Sequence, residues 1–501
     1  MPTSNVSPTL DGLFQRILAR QPDAPALIDP INKARITGHV PRRMTFAQAD
    51  RAISALAAHF VEAGLPINAV IGVQLPNTVE FMITLLAAHR AGLIVALLPQ
   101  LWRQAELTAA LNRTGARAIV TMSKIDGVSH ADLAMNAAAE AFSIRHVCGF
   151  GEDLPEGMAS LDLALTNGSS TDRLVVQDGR KAALISFDVT SDGLRAVPRT
   201  HLNLIAGGLA VFLESRVPQG ARLMSAFAPS SFAGLTSSLL LWLLSGGTLA
   251  LHHPFDGEAL ERQINECSCD TLVAPAPLAL RLNDADVASR LPSLRHVIGL
   301  WRMPEQIASS AQWTVEQARF TDVYLFGEVG LFGARRSADG VPVPVVPGPH
   351  GAPRDIPGTS IAGETLLTPK GTLALRGPMV TVAAYAPPTP PSDSLTAPPP
   401  PPDYADTGYA ARLDRSSGAL CITSPPSGIV SVGGYRFLSQ DLQEWAKRLG
   451  QGALLTALPD RLCGYRLAGR AQDNARGREA LNQLGLNPLM AEAFRDRTII
   501  G

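Results

Sequence analysis

Few residues of this 501-residue chain have the types and spacing of a known reactive motif. Cys267 and Cys269 are separated by one residue, which is the wrong spacing for a zinc knuckle, and no second pair lies nearby. The sequence contains no G-x-S-x-G, no H-E-x-x-H, no G-x-G-x-x-G after a strand and no G-x-x-x-x-G-K-S/T. A segment that combines hydroxyl groups, a glycine and a cation remains, from Thr190 to Arg195.

The composition argues against several classes of partner. Lys and Arg total 43 against 44 Asp and Glu, so a net charge of −1 gives no indication of nucleic acid or anionic membrane as a partner. Five scattered cysteines argue against a disulfide framework and for a reducing compartment, and we expect a cytoplasmic protein. With 46% hydrophobic residues, the chain is long enough for roughly three structural units.

One uncharged stretch, Leu223 to Leu251, has the length of a membrane span. Pro229 and Gly234 interrupt its start, and Ser245-Gly246-Gly247 stops the apolar run well short of the ~20 residues that a bilayer requires. We therefore expect a buried helix, a glycine stop and a strand over Thr248–Leu251, and no membrane span. Residues 1–22 also lack the charged start and apolar run of a secretory signal.

The elements that must position any site alternate between helix and strand. Helices are predicted around Ala52–Phe60 and at Val79–His89 and Gln104–Asn112, and strands at Ala69–Leu75, Leu93–Leu98, Ala118–Thr121, Ala182–Ile185, Thr271–Ala274 and His296–Leu300. Continuous apolar strands separated by helices indicate an α/β protein whose sheets are covered on both faces. Around Thr359–Val382 the pattern changes to a small β-rich unit.

A proline-rich segment follows that unit. Nine of the 16 residues from 387 to 402 are proline, which favours an extended backbone without donors. We expect a surface loop, and a recognition motif for a proline-binding partner is the alternative.

Several short segments together carry a family resemblance. They are Met44-Thr45-Phe46-Ala47-Gln48, Gly72 to Asn77 before Glu80-Phe81, Ala91 to Val95 before Leu98-Pro99, Leu241 to Thr248, Gly371 to Met379 and Gly433-Gly434-Tyr435-Arg436-Phe437. In order and spacing the chain resembles the adenylate-forming (AMP-binding) ligase superfamily, which includes acyl-CoA synthetases, aryl-acid ligases and adenylation domains. The resemblance implies a large N-terminal domain over residues 1–430, with two βα-layered subdomains and a small β-rich subdomain. A short α+β C-terminal lid is expected over residues 433–501, truncated relative to the family.

In this family a Ser/Thr- and Gly-rich loop ending in Lys lies over the ATP phosphates, because glycine allows close approach of backbone N–H groups and a cation neutralises charge. The resemblance implies that Thr190, Ser191 and Gly193 bind the nucleotide, and that Arg195 takes the catalytic position of the lysine. Asp188 is a departure, because a carboxylate beside a triphosphate is unfavourable unless it holds a cation. An ordinary solvated turn entering a helix is the alternative.

A second shared segment is Tyr324-Leu325-Phe326-Gly327-Glu328. The resemblance implies that Tyr324 flanks the adenine and that Glu328 is catalytic and holds Mg²⁺, whereas a glutamate in a solvated loop is the alternative. The family's Thr at this point has become Gly327. Just upstream, Trp301 would either stack on the base or fill its pocket.

The ribose and lid elements depart further from the family. Tyr409 stands where the family has an Asp that holds both ribose hydroxyls, and Asp406 is the remaining candidate for that contact. A lysine of the lid normally stabilises charge on the carboxylate and the α-phosphate. Lys447 is the only lysine after Gly433, and we expect it on the surface of a helix over Asp441–Leu449. No residue therefore takes the role of that lysine.

Candidates for the acyl pocket are Phe232, Gly234 and Phe326, with Phe232 in place of a family His. Packing in the core is the alternative for these aromatic residues. The lack of an obvious Lys, Arg or Asp on this wall favours a fatty or aromatic acid over an amino acid as substrate.

The resemblance implies a ligase that activates a carboxylic acid with ATP and Mg²⁺ as acyl-AMP, for transfer to CoA or to a carrier-protein thiol. Slow adenylation is expected, because the replaced polar groups stabilise the transition state in relatives. Two alternatives remain open. One is a catalytically inactive acyl- or nucleotide-binding protein with a regulatory role, and the other is an enzyme that only transfers or hydrolyses a ready-made acyl-adenylate or thioester.

Overall fold

The computed structural model of the protein describes residues 7–168, 178–350, 363–386 and 403–495. The proline-rich segment 387–402, expected as a surface loop, lies outside the described residues. Helices in the described part are Leu10–Leu18, Lys33–Thr37, Phe46–Glu62, Val79–Arg90, Gln104–Thr114, His130–Glu140, Leu161–Asn167, His201–Ser215, Phe232–Ser237, Leu239–Ser245, Gly257–Cys267, Ala276–Ala279, Ala285–Ser289, Ser439–Arg448, Asn474–Gln483 and Pro488–Glu492. Short 3₁₀ helices lie at Leu280–Asn283 and Pro304–Ser309.

Two large sheets form the N-terminal part of the described chain. The first has eight strands in the spatial order Gly330–Arg335, Arg319–Phe326, His296–Trp301, Thr271–Pro275, Arg222–Ser225, Thr248–Leu251, Pro25–Ile28 and Arg43–Thr45. Its strands pair in parallel except at the two edges. The second has seven strands in the order Gly193–Thr200, Ala182–Thr190, Ile94–Leu97, Val70–Val73, Ala118–Met122, His146–Phe150 and Ala159–Ser160, with one antiparallel edge pair. The predicted alternation of helices and apolar strands is confirmed.

The central strands are buried along their whole length, because helices cover both faces of each sheet. Val70–Val73 and Ile94–Leu97 have every residue buried, which explains their continuous apolar sequences. The helix Val79–Arg90 that connects them is buried at all but its last residue. A separate two-stranded hairpin, formed by Lys124–Ile125 and Val128–Ser129, follows the strand Ala118–Met122 in the sequence.

The small β-rich unit and the C-terminal unit each contain an antiparallel sheet. The first orders its strands Gly348–His350, Gly363–Leu367, Thr372–Arg376, Ala405–Leu413 and Leu420–Ser424. The second orders them Tyr435–Leu438, Ile429–Val432, Gly464–Arg470 and Leu454–Asp460. The C-terminal sheet therefore begins at Ile429, before the expected start at Gly433, because Gly433 and Gly434 form the turn of its first hairpin.

The C-terminal unit contacts the N-terminal domain through polar groups. Leu101 N donates a hydrogen bond to the Tyr435 hydroxyl at 3.1 Å, and Asn487 N donates one to Glu106 Oε1 at 2.9 Å. Lys447 lies exposed on the helix Ser439–Arg448, as expected.

The uncharged stretch forms the buried helix Leu239–Ser245, which ends at Gly246 with φ +64° and is followed by the strand Thr248–Leu251. This part of the prediction is confirmed. None of the helices among the described residues is long and apolar enough to cross a bilayer.

A buried charge cluster joins the two large sheets. Lys33 Nζ lies 2.7 Å from Asp29 Oδ2 and 2.6 Å from Glu80 Oε1, and none of the three side chains is exposed to solvent. Asp29 also accepts a hydrogen bond from Val79 N at 2.8 Å, at the start of the helix that leaves the second sheet. Burial raises the pKa of Asp29 to about 6. The lysine is thus the counter-charge for two carboxylates that water does not reach.

We expect Lys33→Met to destabilise the fold, because it removes the cation between two buried carboxylates and leaves Glu80 with only Arg42, 3.8 Å away. The free energy of unfolding should fall by about 3–5 kcal/mol, measured by chemical denaturation. Lys124→Met, which removes an exposed lysine, is the matched control. Equal stabilities of the two variants would contradict a structural role for the cluster.

Candidate active site

A cavity of about 110 Å³ lies where strands of both large sheets end. Parallel strands present their carboxyl ends at one edge, where α/β proteins place their ligands. Arg302 follows the strand His296–Trp301, and Gly327 and Glu328 follow Arg319–Phe326. The remaining lining residues come from loops, both large sheets, the helix Phe232–Ser237 and the C-terminal hairpin, and are Pro99, Trp102, Phe187, Asp188, Val189, Phe227, Ala228, Ser230, Ser231, Ala233, Leu325, Ser431, Gly433, Gly434, Tyr435 and Arg436.

A larger groove of about 620 Å³ lies beside this cavity. Its walls bring together most of the residues that the resemblance assigns to the nucleotide, although they are far apart in sequence. They are Thr190, Ser191, Gly193, Arg195, Glu328 and Asp406. The groove thus collects the candidate phosphate, metal and ribose residues in one place.

The cavity and the groove share a charged wall formed by Asp188, Glu328 and Arg436. Arg436 Nη1 donates to Asp188 Oδ1 at 2.9 Å, and Asp188 Oδ2 accepts from Glu328 N at 2.9 Å. Arg436 Nη2 donates to the Tyr409 hydroxyl at 3.0 Å. Burial opposes the charge of Arg436, but the Asp188 carboxylate raises its pKa above the ordinary value. Arg436 thus connects the C-terminal hairpin to the strand Ala182–Thr190.

Three departures from the family pattern meet at this arginine. Gly327 has φ +55°, and a Cβ atom there would overlap Arg436 Nη1 and Asp188 Oδ2. Asp188 supplies the carboxylate, and Tyr409 presents a hydroxyl where the family has an acid. The glycine, the aspartate and the tyrosine therefore act as one set that accommodates the guanidinium.

Glu328 is held in a buried position beside a second arginine. Its Oε2 accepts a hydrogen bond from Phe232 N at 3.0 Å. Arg199 is buried, donates to the main-chain oxygens of Glu328 and Met379, and lies 3.7 Å over the ring of Phe232. Burial raises the pKa of Glu328 to about 7, although Arg199 opposes the shift. The solvated-loop alternative for Glu328 does not match this environment.

The hydroxyl-rich segment is the tip of a hairpin. Thr190 pairs with Gly193 across a two-residue turn, and the strand Gly193–Thr200 separates this turn from the helix His201–Ser215. Thr190 Oγ1 accepts from Asp192 N and donates to the Gly193 oxygen, both at 3.3 Å. The alternative of an ordinary solvated turn matches the exposed Ser191 and Asp192, but the turn does not enter a helix, because a second strand intervenes.

Arg195 lies on the groove wall with unused hydrogen-bonding capacity. Its Nη2 donates to the main-chain oxygen of Val382 at 2.5 Å. Its Nε is buried and has no acceptor among the described residues. An anion in the groove would provide one.

The structure does not bring Tyr324 and Phe326 to the cavity or the groove. Tyr324 stacks on Phe332 with ring centroids 4.5 Å apart, and Phe326 is fully buried against Phe332 and Tyr409. Side chains alternate between the two faces of a strand, so Leu325 is the one that lines the cavity. The core alternative matches the position of Phe326.

Phe232 and Gly234 do not line the cavity but lie directly behind residues that do. Phe232 is fully buried under Arg199, whereas its neighbour Ala233 lines the cavity. A Cβ atom at position 234 would overlap the main-chain oxygen of Ala228, so this approach requires glycine. Trp301 is buried too, and its Nε1 donates to Asp322 Oδ1 at 2.7 Å.

Sequence reasoning missed Arg302 and Arg436 as site residues. Arg436 belongs to the quoted segment Gly433 to Phe437, so its place after a glycine turn was an available signal. Arg302 follows Trp301 at a strand end, which was the only signal for it.

We expect Gly327→Ala to destabilise the protein by about 1–3 kcal/mol, because alanine at this position must adopt a positive φ and its methyl group would overlap the Asp188–Arg436 pair. Gly418→Ala is the matched control, since Gly418 has φ +68° and open space around it. Thermal unfolding of both variants should show the larger loss for position 327. Equal losses would mean that the overlap has no energetic consequence.

We expect the charge of Glu328 to make stability depend on pH. Its raised pKa of about 7, against 4.5 ordinarily, means that between these values the native state holds a proton that the unfolded state has released. The free energy of unfolding should therefore fall as pH rises from 5 to 8, by roughly 3 kcal/mol at most. Glu328→Gln should lose this contribution, while Glu316→Gln, an exposed control, should keep it. Identical pH profiles for all three proteins would contradict the shift.

Comparisons with known proteins agree with the geometry. A family model described as AMP-binding enzyme matches residues 14–381. A medium-chain fatty-acid–CoA ligase of Escherichia coli (strain K12) is 27% identical over 165 residues, which is 32% of this chain and only 29% of that protein. A long-chain-fatty-acid–CoA ligase of Yersinia pestis is 23% identical over 474 residues, covering 86% of this chain and 79% of that protein.

A solved structure shows the same fold. The acyl-CoA synthetase of Brucella canis superposes with a TM-score of 0.63 at 17% identity, over 97% of this chain and 91% of that chain. The predicted architecture, a large N-terminal α/β domain followed by a smaller α+β domain, is confirmed. Because the family model covers more than half of the sequence, the chain belongs to the family of AMP-binding enzymes, the adenylate-forming ligases.

Proposed function

We propose that the protein is an adenylate-forming ligase that activates a carboxylic acid with ATP and passes the acyl group to the thiol of CoA or of a carrier protein. The observation that carries this proposal is the charged wall shared by the cavity and the groove. Adenylation joins a carboxylate oxygen to the α-phosphate and releases pyrophosphate, so the acid and the nucleotide must meet at one boundary. Asp188, Glu328 and Arg436 form such a boundary here.

The groove offers groups that suit a nucleoside triphosphate. Arg195 has a buried Nε without an acceptor, and the hydroxyls of Thr190 and Ser191 lie on the same wall. Asp406 accepts from Thr372 Oγ1 and Gly408 N, both at 2.9 Å. Each carboxylate oxygen keeps capacity for a further hydrogen bond, which a ribose hydroxyl can use. Tyr324 does not line the groove, so the surroundings of the base remain a prediction.

Magnesium would bind through Glu328 together with the phosphates. Among residues 7–168, 178–350, 363–386 and 403–495, no cluster of three or more His, Cys, Asp or Glu side chains is placed to hold a metal ion. Mg²⁺ commonly uses one or two carboxylates plus substrate phosphates, so a dedicated cluster is not required. When bound, the ion would neutralise phosphate charge.

Arg436 is suited to the electrostatic role that a lid lysine has in relatives. It comes from the C-terminal hairpin, lines both compartments and stays charged. A preorganised cation at this boundary would stabilise the negative charge that develops between the carboxylate and the α-phosphate.

A second candidate is a catalytically inactive acyl- or nucleotide-binding protein. The arrangement of Arg436, Asp188 and Tyr409 favours it, because the arginine is already neutralised by an aspartate and a tyrosine replaces the ribose acid. Such a protein would bind ATP or the acid without releasing pyrophosphate.

The test is hydroxamate and pyrophosphate formation from Mg-ATP, hydroxylamine and a panel of carboxylic acids. We expect product with at least one acid, and a tenfold or greater loss in Arg195→Ala, which corresponds to at least about 1.4 kcal/mol of transition-state stabilisation. Arg415→Gln, which removes an exposed arginine, should keep full activity.

Two results would contradict the ligase. An ATP-induced thermal shift without pyrophosphate from any acid would favour the inactive binding protein. The absence of both product and thermal shift would reject nucleotide chemistry altogether.

A further inference from the structure

Arg302 is a cation without an acidic partner on the wall of the 110 Å³ cavity. Its Nη1 donates to the main-chain oxygen of Gly433, and its guanidinium lies 4.1 Å from the centroid of the Phe227 ring. Both are neutral groups. None of the ion pairs within the described part of the chain includes Arg302, and burial lowers its pKa to about 10.

Two acids on the wall of the cavity, Asp188 and Glu328, already face other cations. Asp188 pairs with Arg436 at 2.9 Å, and Glu328 lies beside Arg199. A third carboxylate, Glu305, lies near Arg436 with no hydrogen-bond partner for either oxygen, and it forms no ion pair with Arg302. A buried charge without a partner is costly, so the cavity is electrostatically incomplete until an anion enters it.

The size of the cavity limits that anion. Pockets for drug-sized ligands measure about 300–1,000 Å³, so a cavity of about 110 Å³ has room within its walls for a small molecule. Apolar side chains of Trp102, Phe187 and Leu325 and the polar Ser230 and Ser231 complete its walls. A short carbon chain with charged ends matches this lining.

The positions of the two arginines suit a molecule with two negative ends. The Arg302 guanidinium packs against Gly434, where a Cβ atom would overlap it. Arg436 lies two residues beyond Gly434, on the strand Tyr435–Leu438, and lines the same cavity. One guanidinium belongs to the shared wall, and the other contacts the turn of the same hairpin.

We propose that this cavity selects short dicarboxylic acids, with one carboxylate at the shared wall near Arg436 and the second paired with Arg302. The inference rests on the proposed ligase function, whose acid it specifies. The sequence predicts a fatty or aromatic acid because the cavity wall has no obvious cation in the sequence. Arg302 is a cation on that wall, so a short dicarboxylic acid replaces this prediction. The carboxylate at Arg302 takes no part in the reaction and serves recognition.

The first test measures binding of acids without ATP, so that it does not depend on turnover. Malonate, succinate and glutarate are compared with propionate, butyrate, octanoate and benzoate by calorimetry. We expect at least one dicarboxylate to bind tenfold or more tightly than the monocarboxylate of the same chain length. Equal or tighter binding of the monocarboxylates would overturn the proposal.

The second test assigns the preference to Arg302. Arg302→Gln should bring the affinity for the preferred dicarboxylate down to that of the monocarboxylate, whereas Arg302→Lys should keep part of the preference and Arg415→Gln all of it. Unchanged dicarboxylate binding in Arg302→Gln would overturn the assignment. If Arg302→Gln does not fold, Arg302→Lys decides: a partial loss of the dicarboxylate preference supports the assignment, and an unchanged preference overturns it.

Hydroxamate assays with the same acids separate this inference from the proposed function. A dicarboxylate preference in binding without any hydroxamate would leave the recognition site standing and reject the ligase. Hydroxamate from monocarboxylates alone would leave the ligase standing and reject the recognition site.

Discussion

The ion pair between Arg436 and Asp188 is the interaction on which the site depends. It joins two residues 248 positions apart and thereby attaches the C-terminal hairpin to the second sheet. The same guanidinium reaches Tyr409 on the small β-rich unit, so three parts of the molecule meet at one charge. The pair is mostly shielded from water, so removal of either partner would leave the other as a buried charge without a counter-charge.

This pair gives a common physical cause to changes that look independent in the sequence. A side chain larger than glycine at 327 would occupy the place of the guanidinium, and an acid at 409 would compete with Asp188 for it. The substitutions therefore compensate one another sterically and electrostatically.

Local patterns predicted much of the fold. The helix Val79–Arg90 and the helix and strand around Gly246 follow from periodicity and glycine, which act within a few residues. The groove residues Thr190, Arg195, Glu328 and Asp406 were found through motif order. The sequence could not show on which face of a strand each side chain lies, or which charged groups pair with each other. The sequence therefore predicts Tyr324 and Phe326 at the site, although their side chains pack away from the cavity and the groove. It gives no sign of the role of Arg302, because only the fold shows that no carboxylate pairs with this arginine.

The lining of the cavity by Gly433, Gly434, Tyr435 and Arg436 has a thermodynamic consequence. Since one wall of the cavity belongs to the C-terminal unit, the cavity is complete only when that unit is docked. Occupancy of the cavity and docking of the unit are then linked equilibria, and each must favour the other by the same factor. A ligand that fills the cavity would thus hold the C-terminal unit against the N-terminal domain, and any motion that separates the two would weaken the binding of that ligand.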